Sequence, residues 1–275
     1  MTAPIAFVSG HRMAALGLFA PLALAALVAG AASSLADEVK PKGVELLVFL
    51  GDKSVGTEVY RSSKGTEAHF FSTEAQLQDN VGKGAWKAFK QRAAVQTAPD
   101  GPLQQYDRWI DVTGATQQSK LFNFQGKWKI SVADAAVEGK RPKPKVTDVK
   151  AASPVVVFDQ RLLSLVVLAA ERAAGKGEVE FVRFDDGTSG KVHVNTEHLN
   201  DAKGVKFSRT TLKGDKIDAW VLRDGGGNVL AVKGMDAWRA VAKGAKVPAE
   251  GSLKPTEAPA AKAAPLPSAA TPVGR

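Results

Sequence analysis

The sequence predicts a mainly β protein, an antiparallel meander or half-barrel wrapped around one buried α-helix, with an export leader before it and a disordered tail after it. Two observations predict the fold. Turn signals recur about every 8–12 residues through 43–134 and again through 178–241. Between these two stretches, 159–174 (DQRLLSLVVLAAERAA) carries apolar side chains around most of its circumference, the pattern of a helix buried on more than one side.

The first stretch opens with an apolar run at 44–50. A Gly51-Asp52-Lys53 turn leads into 55–61, and Ser62-Ser63-Lys64-Gly65 leads into 67–77. Gly82 and Gly84 break the chain before 86–97, and Pro99-Asp100-Gly101-Pro102 turns it into 103–112. Two further strands, 121–124 and 127–132, flank Gln125-Gly126. In the second of these Trp128, Ile130 and Val132 alternate with Lys127, Lys129 and Ser131, so one face is buried and one is wet. Residues 133–153 are rich in Pro, Lys and Ala and read as a surface insert, with an edge strand at 146–149.

In the helix, Asp159 is the expected N-cap and Gly175 the expected left-handed terminator. Strands resume at 178–184, 191–197, 205–213, 216–223 and 228–233. Residues 235–241 close the domain as a strand or a short helix. From 244 onward six prolines in 32 residues point to a disordered or polyproline-like tail. The expected organisation is therefore a signal peptide at 1–36, one domain at 37–243 and a tail at 244–275.

The leader reading rests on charge and hydropathy. Residues 1–36 hold no acid, and His11-Arg12 precede the apolar run 14–32. Small-residue cleavage patterns follow at Ala29-Gly30-Ala31 and Ser34-Leu35-Ala36, the second directly before Asp37-Glu38. The expected location is exported, periplasmic or secreted; the alternative is an inner-membrane anchor formed by 14–32. The whole chain carries +9. Losing Arg12 with the leader leaves +8, and setting aside the tail, with four cations against two acids, leaves +6 on 37–243. That excess is spread out, and its densest run, Lys140 to Lys145, is broken by two prolines. Nucleic acid is therefore not expected as a partner.

The chain has no cysteine, which excludes disulfides, thiolate metal sites and a cysteine nucleophile. No metal site or cofactor is expected. His193 and His198 are five positions apart on a strand and so fall on opposite faces, while His69 stands alone. His193, Asn195 and Glu197 share one strand face, which leaves a hydrolase-like reading as a second alternative. The ends of that trio are about 13 Å apart by the strand rise, too far for direct contact. No phosphate loop, dinucleotide fingerprint or nucleophile elbow occurs.

Three segments carry a resemblance: GDKSVGTEVYR between the first two strands, FDQRLLSLVVL at the helix entry, and AWVLRDGGGNVLAVKG in the last hairpins. Over roughly 43–234 the chain resembles the exported bacterial domain-of-unknown-function family 3108 and its relatives, whose fold is similar to the half-barrel of outer-membrane lipoprotein carriers. The matching positions are Gly51, Gly56-Thr57-Glu58, Asp159, Ser164, Trp220, Asp224 and Val229. The Lys/Pro insert and Leu162-Leu163 before the serine depart from the pattern. The resemblance implies no catalytic residues.

The functional expectation is a non-catalytic envelope protein that holds a lipid or lipid-linked ligand in a groove lined by Leu162, Leu163, Val166, Val167, Trp109, Trp128 and Trp220. About ten buried methylenes at roughly 0.8 kcal/mol each would drive such binding before ordering costs. The alternative is an interaction scaffold of the envelope, with 244–275 contacting a protein partner. The sequence does not indicate an oligomeric state.

Overall fold

The computed structural model describes residues 43–79, 87–99, 101–112, 115–134 and 142–256. The expected leader, the middle of the insert and the last 19 residues of the tail lie outside them. Among the described residues, sixteen strands form one sheet and a single α-helix lies against it.

The strands are β1 (Val44–Leu50), β2 (Lys53–Lys64), β3 (His69–Asp79), β4 (Lys87–Thr97), β5 (Leu103–Val112), β6 (Ala115–Phe124), β7 (Lys127–Ala133) and β8 (Lys145–Val149). After β9 (Val156–Phe158) comes the helix α1 (Ser164–Ala173). Then follow β10 (Glu178–Arg183), β11 (Ser189–Asn200), β12 (Lys206–Gly214), β13 (Ile217–Asp224), β14 (Val229–Lys233), β15 (Trp238–Ala242) and the short β16 (Lys254–Pro255).

The order across the sheet is β8-β7-β6-β5-β4-β3-β2-β1-β15-β14-β13-β12-β11-β10-β9, with β16 added on β11. Two meanders are thus joined where the first strand meets the fifteenth, in the register Leu46↔Ala242 to Leu50↔Trp238. All neighbours are antiparallel except β9, which lies parallel to β10 and reaches it through α1, as a parallel pair requires.

The sheet curls until β9 meets β5, where Leu103 N–H donates to the Pro154 carbonyl at 2.8 Å. Beyond that contact the ends overlap. The Ala152 and Ser153 amides donate to the Glu180 carboxylate, and Ser189 Oγ donates to the Lys150 carbonyl. Closure of this kind hides edge groups that would otherwise invite pairing with another chain.

Inside the curl the helix buries Ser164 to Ala170 and Ala173. Phe158 packs edge-on to Phe181, and Tyr106 edge-on to Phe184. The alternation at 127–132 holds: Trp128 and Ile130 enter the core. A second apolar cluster of Leu199, Phe207, Leu222, Leu230 and Ala231 is covered partly by Ala245 and Leu253.

Four sequence readings change. The helix starts at Ser164 rather than 159, because 159–163 is a turn held by the Leu162 amide on the Asp159 carbonyl. Asp159 does not cap the helix; its carboxylate is occupied elsewhere. Gly175 does take the left-handed conformation just past the end, at φ +73°. In the stretch 235–241 the strand β15 begins at Trp238, and β6 extends back to Ala115 through a mostly polar run whose one buried position, Ser119, is itself polar and so leaves no apolar period two. The fold also continues past 243: a 3-10 turn (Glu250–Ser252) and β16 bring 245–256 back onto the sheet.

Candidate functional site

Three polar features interrupt the apolar interior. The first is Glu58 on β2, fully buried beneath the N-terminus of α1. Its Oε2 accepts the Leu163 amide at 2.9 Å; its Oε1 accepts the Ser164 amide at 3.2 Å, the Thr73 hydroxyl at 2.8 Å and the Ser164 hydroxyl. A helix N-terminus needs acceptors for its free amides and favours negative charge. Here a carboxylate from a distant strand supplies both. Burial nevertheless outweighs these hydrogen bonds and pushes the Glu58 carboxyl up to about 7.

Two residues before Glu58, β2 passes very close to β3. A Cβ on Gly56, at φ +149°, would lie 1.9 Å from the Gln76 carbonyl oxygen. Only glycine fits there.

The second feature is the Asp159 carboxylate, whose Oδ2 accepts Gln91 Nε2 at 3.0 Å, Tyr106 OH at 2.8 Å and Arg108 Nη1 at 3.1 Å. Arg108 also reaches Asp185 Oδ1 at 3.1 Å and lies over the Phe184 ring, 4.5 Å from its centre. Burial first, and then the neighbouring Asp159 charge, raises the Asp185 carboxyl. This network ties β4 and β5 to the segment after β9 and to the β10–β11 turn, so it fastens the curl of the sheet.

The third feature is a cleft of about 610 Å³ at the C-terminal end of α1. Phe70, Phe71, Val95, Leu168 and Ala170 give it an apolar wall, and Lys64, Arg172, Lys176 and Arg223 surround Glu171, the single acid lining it among the described residues, with positive charge. Its size is that of small-molecule sites, which pair apolar walls with a few placed polar groups. Arg172 is built into the wall: it donates to the carbonyls of Ala98, Pro99 and Gly101 at 2.6–2.7 Å and reaches His69 Nδ1 at 3.1 Å. Arg223 lies 3.6 Å from the Glu171 carboxylate. Phe71 stacks on Tyr60, whose hydroxyl is pushed up first by burial and then by Glu171.

None of the residues predicted to line a groove lines this cleft. Leu162, Leu163, Val166 and Val167 are sealed in the core, and Trp128 joins them. Trp109 is half-buried on β5. Trp220 packs on the second cluster and borders a separate hollow of about 450 Å³ over β13–β15, with Trp238, Val247, Pro248 and Leu253. Only the last turns of the helix, from Leu168 on, reach the open cleft.

The His193, Asn195 and Glu197 side chains do not converge on one another. His193 sits 3.3 Å from Glu178, while Glu197 pairs with Arg209 at 2.6 Å. Among the described residues no cluster of three or more His, Asp or Glu could hold a metal, and no helix is long and apolar enough to cross a membrane.

The cleft residues come from the ends of β2, β3 and β4, the helix, and β11 to β13, so no local motif announces them. One signal was available: the Phe70-Phe71 doublet breaks period two, and it leaves Phe70 53% exposed at the cleft while Phe71 is buried.

No family model matches the chain, and no curated protein does. The resemblance to family 3108 therefore gains no support from these comparisons. Among solved structures, the chain is similar to a β-barrel-like protein of the domain of unknown function DUF1849 from Brucella abortus. The identity is 12% and the TM-score 0.43, with 74% of this chain and 97% of that one covered. It is also similar to a DUF1089 family protein from Pseudomonas aeruginosa, at 8% identity and a TM-score of 0.31, over 66% of this chain and 84% of that one.

Proposed function

We propose that the chain is an exported envelope protein that binds an amphipathic, lipid-like ligand in the cleft at the C-terminal end of α1. The observation that carries this reading is the cleft itself: an apolar wall of Phe70, Phe71, Val95 and Leu168 beneath a polar, cationic mouth, at a size suited to one small ligand. Export is supported by the acid-free leader, with His11-Arg12 before the apolar run 14–32. The interior around Leu162 to Val167 is closed, so the ligand site is confined to the far end of the helix.

The test is titration of the full chain with 1-anilinonaphthalene-8-sulfonate, followed by displacement with oleate. Saturable binding displaced by oleate is expected, together with a loss of about fivefold in Phe70→Ser at unchanged melting temperature, the worth of a half-buried phenylalanine. No saturable binding, or equal binding by Phe70→Ser, overturns the reading.

A second reading, an interaction scaffold, is favoured by one observation: the segment 245–256 crosses the outer face of β13–β15 and pairs with β11. It gains if the chain binds no amphiphile and an envelope protein captured by it is lost on deleting 257–275.

A further inference from the structure

We infer that the ligand of this cleft carries a carboxylate head, and that Glu171 holds the place of that head in the empty protein. The inference rests on the amphiphile reading above and adds the chemistry of the head group.

Arg223 is the centre of the argument. Its side chain is only 14% exposed, yet its Nη2 makes no hydrogen bond among the described residues. A buried guanidinium N–H without an acceptor is costly, more so than a neutral donor. The nearest carboxylate oxygen, Glu171 Oε1, stops at 3.6 Å, beyond hydrogen-bond distance. A second group repeats the pattern: Thr97, 2% exposed, borders the same cleft and its Oγ1 has no partner among the described residues. Arg223 and Thr97, which both line this cavity, thus each carry a buried polar atom without a hydrogen-bond partner among the described residues.

Glu171 shows what that acceptor is. It is a carboxylate, it sits on the last turn of α1, and its side chain is 46% exposed. An exposed side chain in a long, imperfect ion pair is easily displaced, because such a pair is worth little in water. Its position at the C-terminal end of the helix is also one where negative charge is disfavoured. A ligand carboxylate entering the mouth would replace Glu171 beside Arg223, while Lys64 and Lys176 keep the surrounding potential positive. The acyl chain would lie along Phe70, Phe71 and Leu168.

The test compares decanoate with 1-decanol on the full chain, both below their aggregation limits, by calorimetric titration. Decanoate is expected to bind about tenfold more tightly, the worth of one charge-assisted hydrogen bond. Arg223→Gln should bring decanoate down to the level of decanol and leave decanol unchanged. Glu171→Gln, at an exposed position that spares the fold, should tighten decanoate severalfold and leave decanol unchanged. If both ligands bind equally and neither substitution separates them, the carboxylate inference is overturned while the amphiphile reading stands. If neither ligand binds, the amphiphile reading fails and the inference falls with it.

Discussion

The Glu58 carboxylate caps the helix at Ser164, 106 residues further along the chain, through both the amide and the hydroxyl of that serine. The helix therefore has no local cap; its first turn is satisfied by the strand beneath it. This places an ionisable group in the interior at the junction of two elements, and its proton becomes part of the stability of the fold.

The pH dependence follows from the direction of that shift. Glu58 is raised from 4.5 to about 7 by burial, so the native state holds this proton at pH values where the unfolded chain has released it. Its contribution to stability is fully present below about 4.5 and is lost as pH rises through about 7. The size is on the order of 3 kcal/mol. Denaturant unfolding of wild type and Glu58→Gln at pH 5 and pH 8 checks it. The variant, neutral throughout, should gain on the wild type by that order between the two pH values; an unchanged difference contradicts the assignment.

The Asp159 network predicts an asymmetry. Replacing Arg108 by Met leaves the buried Asp159 carboxylate, and Asp185 at the surface end of the network, without their shared cation, which should cost about 3–5 kcal/mol. Asp159→Asn keeps the shape and leaves Arg108 paired with Asp185, so its cost should be smaller, about 1–2 kcal/mol. Urea unfolding of both variants decides it. Equal costs would show that the cluster does not act as a shared-charge lock on the curled sheet.

Close approach of β2 to β3 predicts a contrast between glycines. Gly56→Ala drives a methyl into the Gln76 carbonyl and should cost about 3 kcal/mol or more. Gly126→Ala, also at positive φ but facing open space, should cost about 1–2 kcal/mol. Thermal melts of the two variants measure the difference.

Much of the architecture was legible because period two survives wherever one face is buried and one is wet, as at Trp128, Ile130 and Val132. It failed where burial was not one-sided. Val156 to Phe158 are buried throughout and show no alternation, while 116–120 is polar throughout, so neither announced a strand. Asp159 read as a cap because it precedes an apolar run. Its carboxylate instead meets Arg108 from β5, a partner 51 residues away that no local pattern reveals. Glu58 was visible as part of Gly56-Thr57-Glu58 but not as a cap. The available signal was its phase: it lies two residues from Tyr60, on the buried face of β2, where a carboxylate requires donors. The three tryptophans expected around a groove went to separate places, since apolar character shows that a side chain is buried but not against what.

The central claim is that a ligand occupies the cleft at the C-terminal end of α1, and photolabelling tests it most directly. The full chain would be irradiated with a diazirine-bearing fatty acid and the adducts mapped by peptide mass spectrometry. The account predicts adducts on residues 69–71, 95–99 and 168–176, competed by unlabelled oleate. Adducts concentrated instead around Trp220, Trp238 and Leu253, or spread over the surface without competition, would contradict it.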